Sequence, residues 1–472
     1  MKKVLLTALI ATGLVLTGAS FYLSEPNTPA PAKADEEVRI ISNDEDFAAF
    51  KADLLNDEMI GAKVVLNADI NYEITSSLNS PKEAPFRGEF DGNGHSITIT
   101  VSCSATNNLG LFRCIGSQGS VLNLTTKGTI NGTDHLGGIA VSNYGLIQNC
   151  INEMTISATG QYVGGITGVM NGSGVESNHA RIINCENIGN VTTTYASSSS
   201  LGVAGIAGYA YGNASIISSS NYGDVTCGTA PFGLGGVLGV VKASSSAGGD
   251  VYLTNCYNGG TVSGDRYVGG ILGHIDSSNA KVIHLSGCLN AGEIVCSNTS
   301  KGYDGQLIGN GKNDSSFTIA DSAILGKITA QTTSNVGDVV GFPNSNTFEG
   351  VNVASTTGIS DEAKELIKLV RHFNCDADSA YKAQVNSALT ALTSEEQTLL
   401  YGVTYWDKSD ATGDHDYIAA ANYIIGHSPS AAKMSMMIVK DAHVLTIIAI
   451  SAVTLFVGLA IIMTIRKKRV NC

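Results

Sequence analysis

The residues of this 472-residue chain that could do chemistry fall in a few clusters. Asp91 and His95 lie four positions apart in Asp91-Gly92-Asn93-Gly94-His95, close enough for acid–base work. Asp-Gly and Asn-Gly also tolerate positive φ, so a tight turn between strands accounts for the same residues without catalysis. Asp265-Arg266-Tyr267 and Lys301-Gly302-Tyr303-Asp304 both precede a Gly-rich half-repeat and read as neighbouring polar patches on one corner. Tyr162, Tyr209, Tyr211, Tyr267 and Tyr303 are read as loop aromatics, whose flat rings offer contact area to a sugar or a protein. Tyr162, Tyr209, Tyr211, Asp265, Arg266, Tyr267, Lys301, Tyr303 and Asp304 are therefore the candidate ligand contacts. No catalytic residue, cofactor or metal is assigned. No His is followed by Glu, and no C-x-x-C, G-x-S-x-G or P-loop occurs.

The elements that must position these residues come from a repeat. Leu124, Cys150, Cys185, Ser219, Cys256, Cys288 and Ser322 open seven copies of one frame, at intervals of 26, 35, 34, 37, 32 and 34 residues. In Cys185-Glu186-Asn187-Ile188-Gly189-Asn190-Val191 the recurring Cys, Asn, Gly and Val stand two apart, the spacing of one strand face. Each copy is preceded by a second half such as Leu136-Gly137-Gly138-Ile139, Val163-Gly164-Gly165-Ile166 or Val268-Gly269-Gly270-Ile271. A period near 30 residues implies a stacked array whose units bury their apolar faces on one another. Equivalent residues would then stack at about 4.8 Å, and seven or eight rungs would span roughly 35–40 Å. The Cys of adjacent rungs are read as buried thiols rather than disulfides, because parallel strands in register hold Cβ atoms further apart than the usual ~3.8 Å. The unequal Gly/Ser/Asn-rich segments, among them 170–180, 242–249 and 277–280, are surface loops, where function concentrates.

The two ends carry targeting signals. Met1-Lys2-Lys3 and the apolar run from Val4 to Gly18 read as a leader comprising 1–34, cleaved between Ala34 and Asp35. Val444 to Ile465 is an uncharged stretch of 22 residues followed by Arg466-Lys467-Lys468-Arg469. That length crosses a hydrocarbon core of ~30 Å, and the basic stop places the tail 466–472 in the cytoplasm. The expected protein is single-pass, with its N-terminus outside and an ectodomain of 21 basic and 40 acidic residues. Nucleic acid is excluded as a partner at that charge. Between the signals, 35–60 reads as an N-terminal capping segment with a helix from Ser42 to about Leu55, and 61–350 as the repeat body. Residues 360–427 read as a small helical stalk between rod and membrane.

Val163-Gly164-Gly165-Ile166 with Ile183-Asn184-Cys185-Glu186-Asn187 resembles the GLUG repeat of bacterial surface proteins. Phe86-Arg87-Gly88-Glu89-Phe90-Asp91-Gly92-Asn93-Gly94-His95, then Gly110-Leu111-Phe112, resembles the segment that opens such regions. The likeness covers residues 38 to 330 and extends to the non-catalytic region of IgA-cleaving metallopeptidases, whose catalytic motif is missing here. It implies an all-β, right-handed parallel β-helix with an adhesin-like or scaffold role, to which the sequence adds the helical module and one C-terminal transmembrane helix. The expected function is a membrane-anchored rod on the cell surface that binds an extracellular protein or glycan. A carbohydrate-active β-helix enzyme, which would need paired carboxylates, and a passive spacer are the alternatives.

Overall fold

The computed structural model describes residues 38–426, apart from 55–58, 73–84, 103–107, 173–178, 195–201, 229–232, 243–248, 277–282, 312–316, 343–347, 349, 374–376 and 407–413. The leader with Ala34 and Asp35, the apolar stretch 444–465, the tail, Cys103, Cys375 and much of the three named loops lie outside the described residues. Among the described residues no helix is long and apolar enough to cross a membrane.

One coil runs through Val163–Gly164, Thr167–Asn171, Ala180–Ile183, Glu186–Asn187 and Val191–Thr193. Each of these strands pairs in parallel with its equivalent in the next coil: Val203–Ala204, Ala207–Tyr211, Ala214–Ile217, Ser220–Asn221 and Val225–Cys227. Repetition builds a parallel solenoid with a 10-stranded sheet A, a 16-stranded sheet B, an 8-stranded sheet C and a 7-stranded sheet D. Sheet B has two arms, because Thr125–Gly132 is one long strand that pairs with both Ile151–Asn152 and Thr155–Ala158. Sheet A exceeds the expected number of rungs. Arg39–Ile41, Lys63–Leu66 and Glu89–Asp91 stack in register ahead of the first repeat. Ten strands at ~4.8 Å give about 43 Å. The segment 35–60 is thus partly solenoid itself, and at the other end Val351–Val353 still pairs with Ser322–Ile324. Helix α1 (Asp44–Leu54) packs Phe47 and Phe50 against Tyr72, Phe86 and Phe90 on the first coils.

Both halves of the repeat meet in the interior. Asn152, Asn187, Asn221, Asn258 and Asn290 are fully buried. Each side-chain amide donates to the next: Nδ2 to Oδ1 is 2.7 Å from Asn152 to Asn187, and 2.8 Å from Asn187 to Asn221, Asn221 to Asn258 and Asn258 to Asn290. The second amide hydrogen goes to the carbonyl two residues on, as from Asn187 to Gly189 at 2.7 Å and Asn221 to Gly223 at 2.8 Å. Such a chain satisfies buried amides and polarises each bond by its neighbour. Thr126 Oγ1 closes one end by donating to Asn152 Oδ1 at 3.1 Å, and Gln306 Oε1 closes the other by accepting from Asn290.

The glycine half makes room for this ladder. A Cβ on Gly138, Gly165, Gly205, Gly236 or Gly270 would fall 2.0–2.5 Å from Oδ1 of Asn152, Asn187, Asn221, Asn258 or Asn290 respectively. Where the chain lacks the Asn it also lacks the Gly. The coil with Thr126 is one residue shorter there, with Gly110-Leu111 set against Gly137-Gly138-Ile139, and the coil with Ile324 has Gln306. The Cys row is buried too. All seven cysteines among the described residues, including the rung neighbours Cys150 with Cys185 and Cys256 with Cys288, are free thiols. Their Sγ atoms donate to interior carbonyls, as Cys288 does to Leu253 O at 3.2 Å.

Four helices follow: α2 (Asp361–His372), α3 (Ser379–Ala391), α4 (Ser394–Tyr401) and α5 (Tyr417–Gly426). Their boundaries lie close to those expected, but their placement does not fit a stalk. The module folds back along the flank of the solenoid. Leu366, Ile367, Val370 and Tyr417 share one apolar cluster with Tyr257, Leu289, Ala291, Ala323 and Leu325 on the outer face of sheet B. Those outward positions are apolar here, where other coils carry Glu186 or Ser220, so the helices must cover them. Arg371 fixes the seat. Its guanidinium donates to Ser220 Oγ (3.1 Å), Asn255 O (2.7 Å) and Tyr417 Oη (3.4 Å) and lies 5.2 Å over the Tyr257 ring. His372 pairs with Glu186.

Candidate binding face

The corner entering sheet D holds one residue per coil just before the Leu/Val-Gly pair: His135, Tyr162, Gly202, Gly233, Tyr267, Tyr303 and Asn335. Except at Gly202 the backbone there is left-handed, with φ of 60° at Tyr162, 61° at Tyr267, 59° at Tyr303 and 90° at Gly233. Glycine adopts that region freely, whereas a residue with a Cβ pays roughly 1–2 kcal/mol. Three tyrosines are therefore held where the same coil geometry accepts glycine.

Their rings lie over an outward row of sheet C, six positions after the first residue of the motif. That row reads Ser142, Val169, Tyr209, Val240, His274, Asn310 and Phe342 in consecutive coils. Tyr162 packs between His135 (4.8 Å between centroids) and Tyr209 (4.9 Å). Tyr267 stacks on His274 at 4.8 Å and meets Tyr303 edge-on at 4.9 Å, and Tyr303 meets Phe342 at 5.4 Å. Two groups of rings thus follow the solenoid axis, with Gly202 and Gly233 at the corner between them. Burial pushes the phenol of Tyr209 well above its ordinary value, and burial followed by the neighbouring Tyr303 raises that of Tyr267. Both stay protonated donors across the physiological range.

Charged groups beside the rings occur in opposite pairs. Arg266 lies 5.8 Å over the Tyr267 ring and 3.9 Å from Asp265, which also accepts from Asn298 Nδ2 at 3.0 Å. Lys242 lies 4.0 Å from Asp276 and shares a register position with Tyr211. Lys301 is exposed, in a turn where its backbone N–H donates to Asn298 Oδ1 at 2.9 Å. The two polar segments expected on one corner do come together, through Tyr267 and Tyr303. His135, His274 and Phe342 were not among the candidates. Their signal was positional, one residue before and six after the start of the Gly-containing motif.

Asp304, expected as a surface contact, is instead fully buried. It occupies the inward position that is Leu136, Val163, Val203, Leu234, Val268 and Val336 in other coils. Its Oδ1 accepts the Val268 N–H at 3.2 Å. Burial pushes its carboxyl up to about 7 from 3.8, while the Cys296 thiol and that N–H oppose the shift. Because the folded value exceeds the unfolded one, the folded protein holds the proton more tightly. No penalty exists below about pH 4. Stability then falls as pH rises to 7, by roughly 4 kcal/mol at order of magnitude. Melting temperature measured from pH 4 to 8.5 should therefore decline for the native chain. Asp304→Val should remove that part of the decline and melt higher at pH 8.

Of the neighbouring acids Asp265 and Asp304, only Asp265 reaches the surface, so they do not form the accessible carboxylate pair a hydrolase needs. Among the described residues no group of three His, Cys, Asp or Glu could hold a metal ion. Asp91 and His95 play separate parts in the expected turn. Asp91 Oδ1 accepts Asn93 N–H at 2.8 Å and Asn123 Nδ2 at 2.9 Å, and His95 Nδ1 lies 3.4 Å from Asp69.

No family profile matches the chain. A stretch of 92 residues, 19% of this chain, is 34% identical to halomucin of Haloquadratum walsbyi, of which it spans 1%. Among solved structures, a candidate immunoglobulin A1 protease from Bacteroides ovatus is similar with a TM-score of 0.43 and 23% identity. That likeness covers 54% of this chain and 76% of the other.

Proposed function

We propose that this chain is a membrane-anchored cell-surface protein whose solenoid presents the tyrosine face for adhesion to an extracellular protein or glycan, without catalysis. One observation carries the reading: Tyr162, Tyr267 and Tyr303 stand in a left-handed conformation where Gly233 shows that glycine fits. A costly conformation that persists is a pointer to function, and half-buried aromatic side chains with one face open at a rigid corner are contact groups. The leader, the apolar stretch 444–465 with its basic stop, and the similarity of one segment to halomucin support placement outside the membrane. The sense of the coil is right-handed on this reading, as parallel crossovers nearly always are.

Binding of the full-length chain, presented on cells, to panels of extracellular proteins and glycans tests this. Saturable binding is expected, reduced about tenfold or more by Tyr209→Ala with Tyr267→Ala, since two aromatic contacts are worth at least ~1.4 kcal/mol. Thr192→Ala with Thr226→Ala, on the outer row of sheet B, should leave it unchanged. Binding that is lost equally in both pairs, or absent from every panel, would count for a spacer.

A further inference from the structure

We infer that the tyrosine face takes an extended, uncharged polysaccharide laid along the solenoid axis. This rests on the reading above and narrows its ligand. The rings form a narrow strip of two adjoining side-chain rows, corner against sheet C, several coils long, from His135 to Phe342. A stable protein–protein interface needs about 800 Å² on each partner around a packed apolar centre. Of the strip residues only Phe342 counts as an exposed large hydrophobic side chain, at 37%. A narrow strip suits a narrow ligand, a single polymer strand.

A peptide strand is the other narrow polymer, and it is captured chiefly by adding to an open sheet edge. The strip offers no such edge along its length; the edge strand Val340–Phe342 lies only at its end and runs across the axis. The strands beneath it, Thr167–Asn171, Ala207–Tyr211, Leu238–Lys242 and Leu272–Ile275, are paired on both sides. Sugar rings need no backbone partner. Their C–H faces lie on aromatic rings and their hydroxyls reach flanking polar groups, here Asp265, Arg266 and Asn298. Charge complementarity fixes the polymer's charge. Arg266 with Asp265 and Lys242 with Asp276 are opposite pairs beside the strip, and exposed Lys301 adds a single charge, too little to hold an ionic chain.

The corner tyrosines impose a length. Tyr162 and Tyr267 are three coils apart, about 14 Å at the rung spacing. An oligosaccharide too short to span them meets one ring group; a longer one meets both, and its affinity gains from the linked contacts.

Titration of the full-length chain with neutral, anionic and cationic linear glycans of graded length, beside a panel of extracellular proteins, tests the inference. Expected are saturable binding to a neutral glycan, affinity rising at least tenfold with length up to the span of both groups, and less than about twofold change as salt rises from about 0.05 to 0.5 M. Tyr267→Ala should remove most of the length gain. Arg266→Ala, which leaves the rings in place, should weaken every length alike. Binding of anionic or cationic polymers with steep salt dependence overturns the inference. Binding confined to proteins also overturns it, while leaving the surface-binding reading intact. Absence of any ligand in both panels defeats both.

Discussion

Gly205→Ala should cost about 3 kcal/mol or more, a large fraction of a domain's stability and the scale at which overpacking a rigid core becomes severe. The added Cβ would lie 2.0 Å from Asn221 Oδ1, 2.1 Å from its Cγ and 2.6 Å from Gly236 O. None of these can yield cheaply. Asn221 is held by amide bonds above and below, and the Gly236 carbonyl accepts the Gly205 N–H at 3.0 Å. Gly228→Ala is the matched control, because its Cβ would meet only Thr194 Cα, at 3.9 Å. It should change stability by no more than ~0.5 kcal/mol. Denaturant melts of the two variants measure the contrast. The pairing also predicts non-additivity. In Gly205→Ala with Asn221→Ala the clashing amide is gone, so the double variant should be more stable than the sum of the singles by about 1 kcal/mol or more.

Asn221→Ala alone should destabilise by about 4 kcal/mol. It removes the acceptor for Asn187 Nδ2, the donor to Asn258 Oδ1 and the donor to Gly223 O, all in the interior. Each buried group so orphaned costs roughly 1–3 kcal/mol. Thr126→Val at the end of the ladder removes one hydroxyl, 3.1 Å from Asn152 Oδ1 and a long 3.5 Å from Ile151 O, and should cost only about 1 kcal/mol. Equilibrium unfolding of the two variants shows whether cost scales with position. Equal costs would mean that the ladder does not act as a connected chain.

Much of this interior was legible in sequence. Cys, Asn, Gly and Val two apart could only share a strand face, and their stacking followed from the period. What was hidden is the contact between halves. Gly138 and Asn152, or Gly165 and Asn187, are 14 and 22 residues apart and meet only after the coil has turned through two sheets. The tell was their joint absence at Leu111 with Thr126 and at Gln306 with Ile324. The docking of α2 was hidden for a similar reason. Tyr257, Leu289 and Leu325 alternate with the ladder residues and read as ordinary surface positions until a helix is seen to cover them.

At the binding face the individual tyrosines were visible, but their grouping was not. Tyr162, Tyr267 and Tyr303 come from the corner and Tyr209 from the outward row of sheet C, and only the coil brings the two rows into contact. Asp304 was misplaced because Gly302 and Tyr303 make its surroundings look like a loop. In the repeat frame it stands where the other coils put Val or Leu, and the frame decides its burial.

The division of labour between interior ladders and outer rings is tested most directly by Tyr162→Gly, Tyr267→Gly and Tyr303→Gly combined, with thermal stability and ligand binding read on the same preparation. Glycine recovers the left-handed strain and loses ring contacts, two opposing amounts of roughly 1–2 kcal/mol per site. The account predicts that the triple variant melts close to the native chain and loses binding. A melting temperature that collapses, or binding that survives intact, would contradict it and make the tyrosines part of the scaffold.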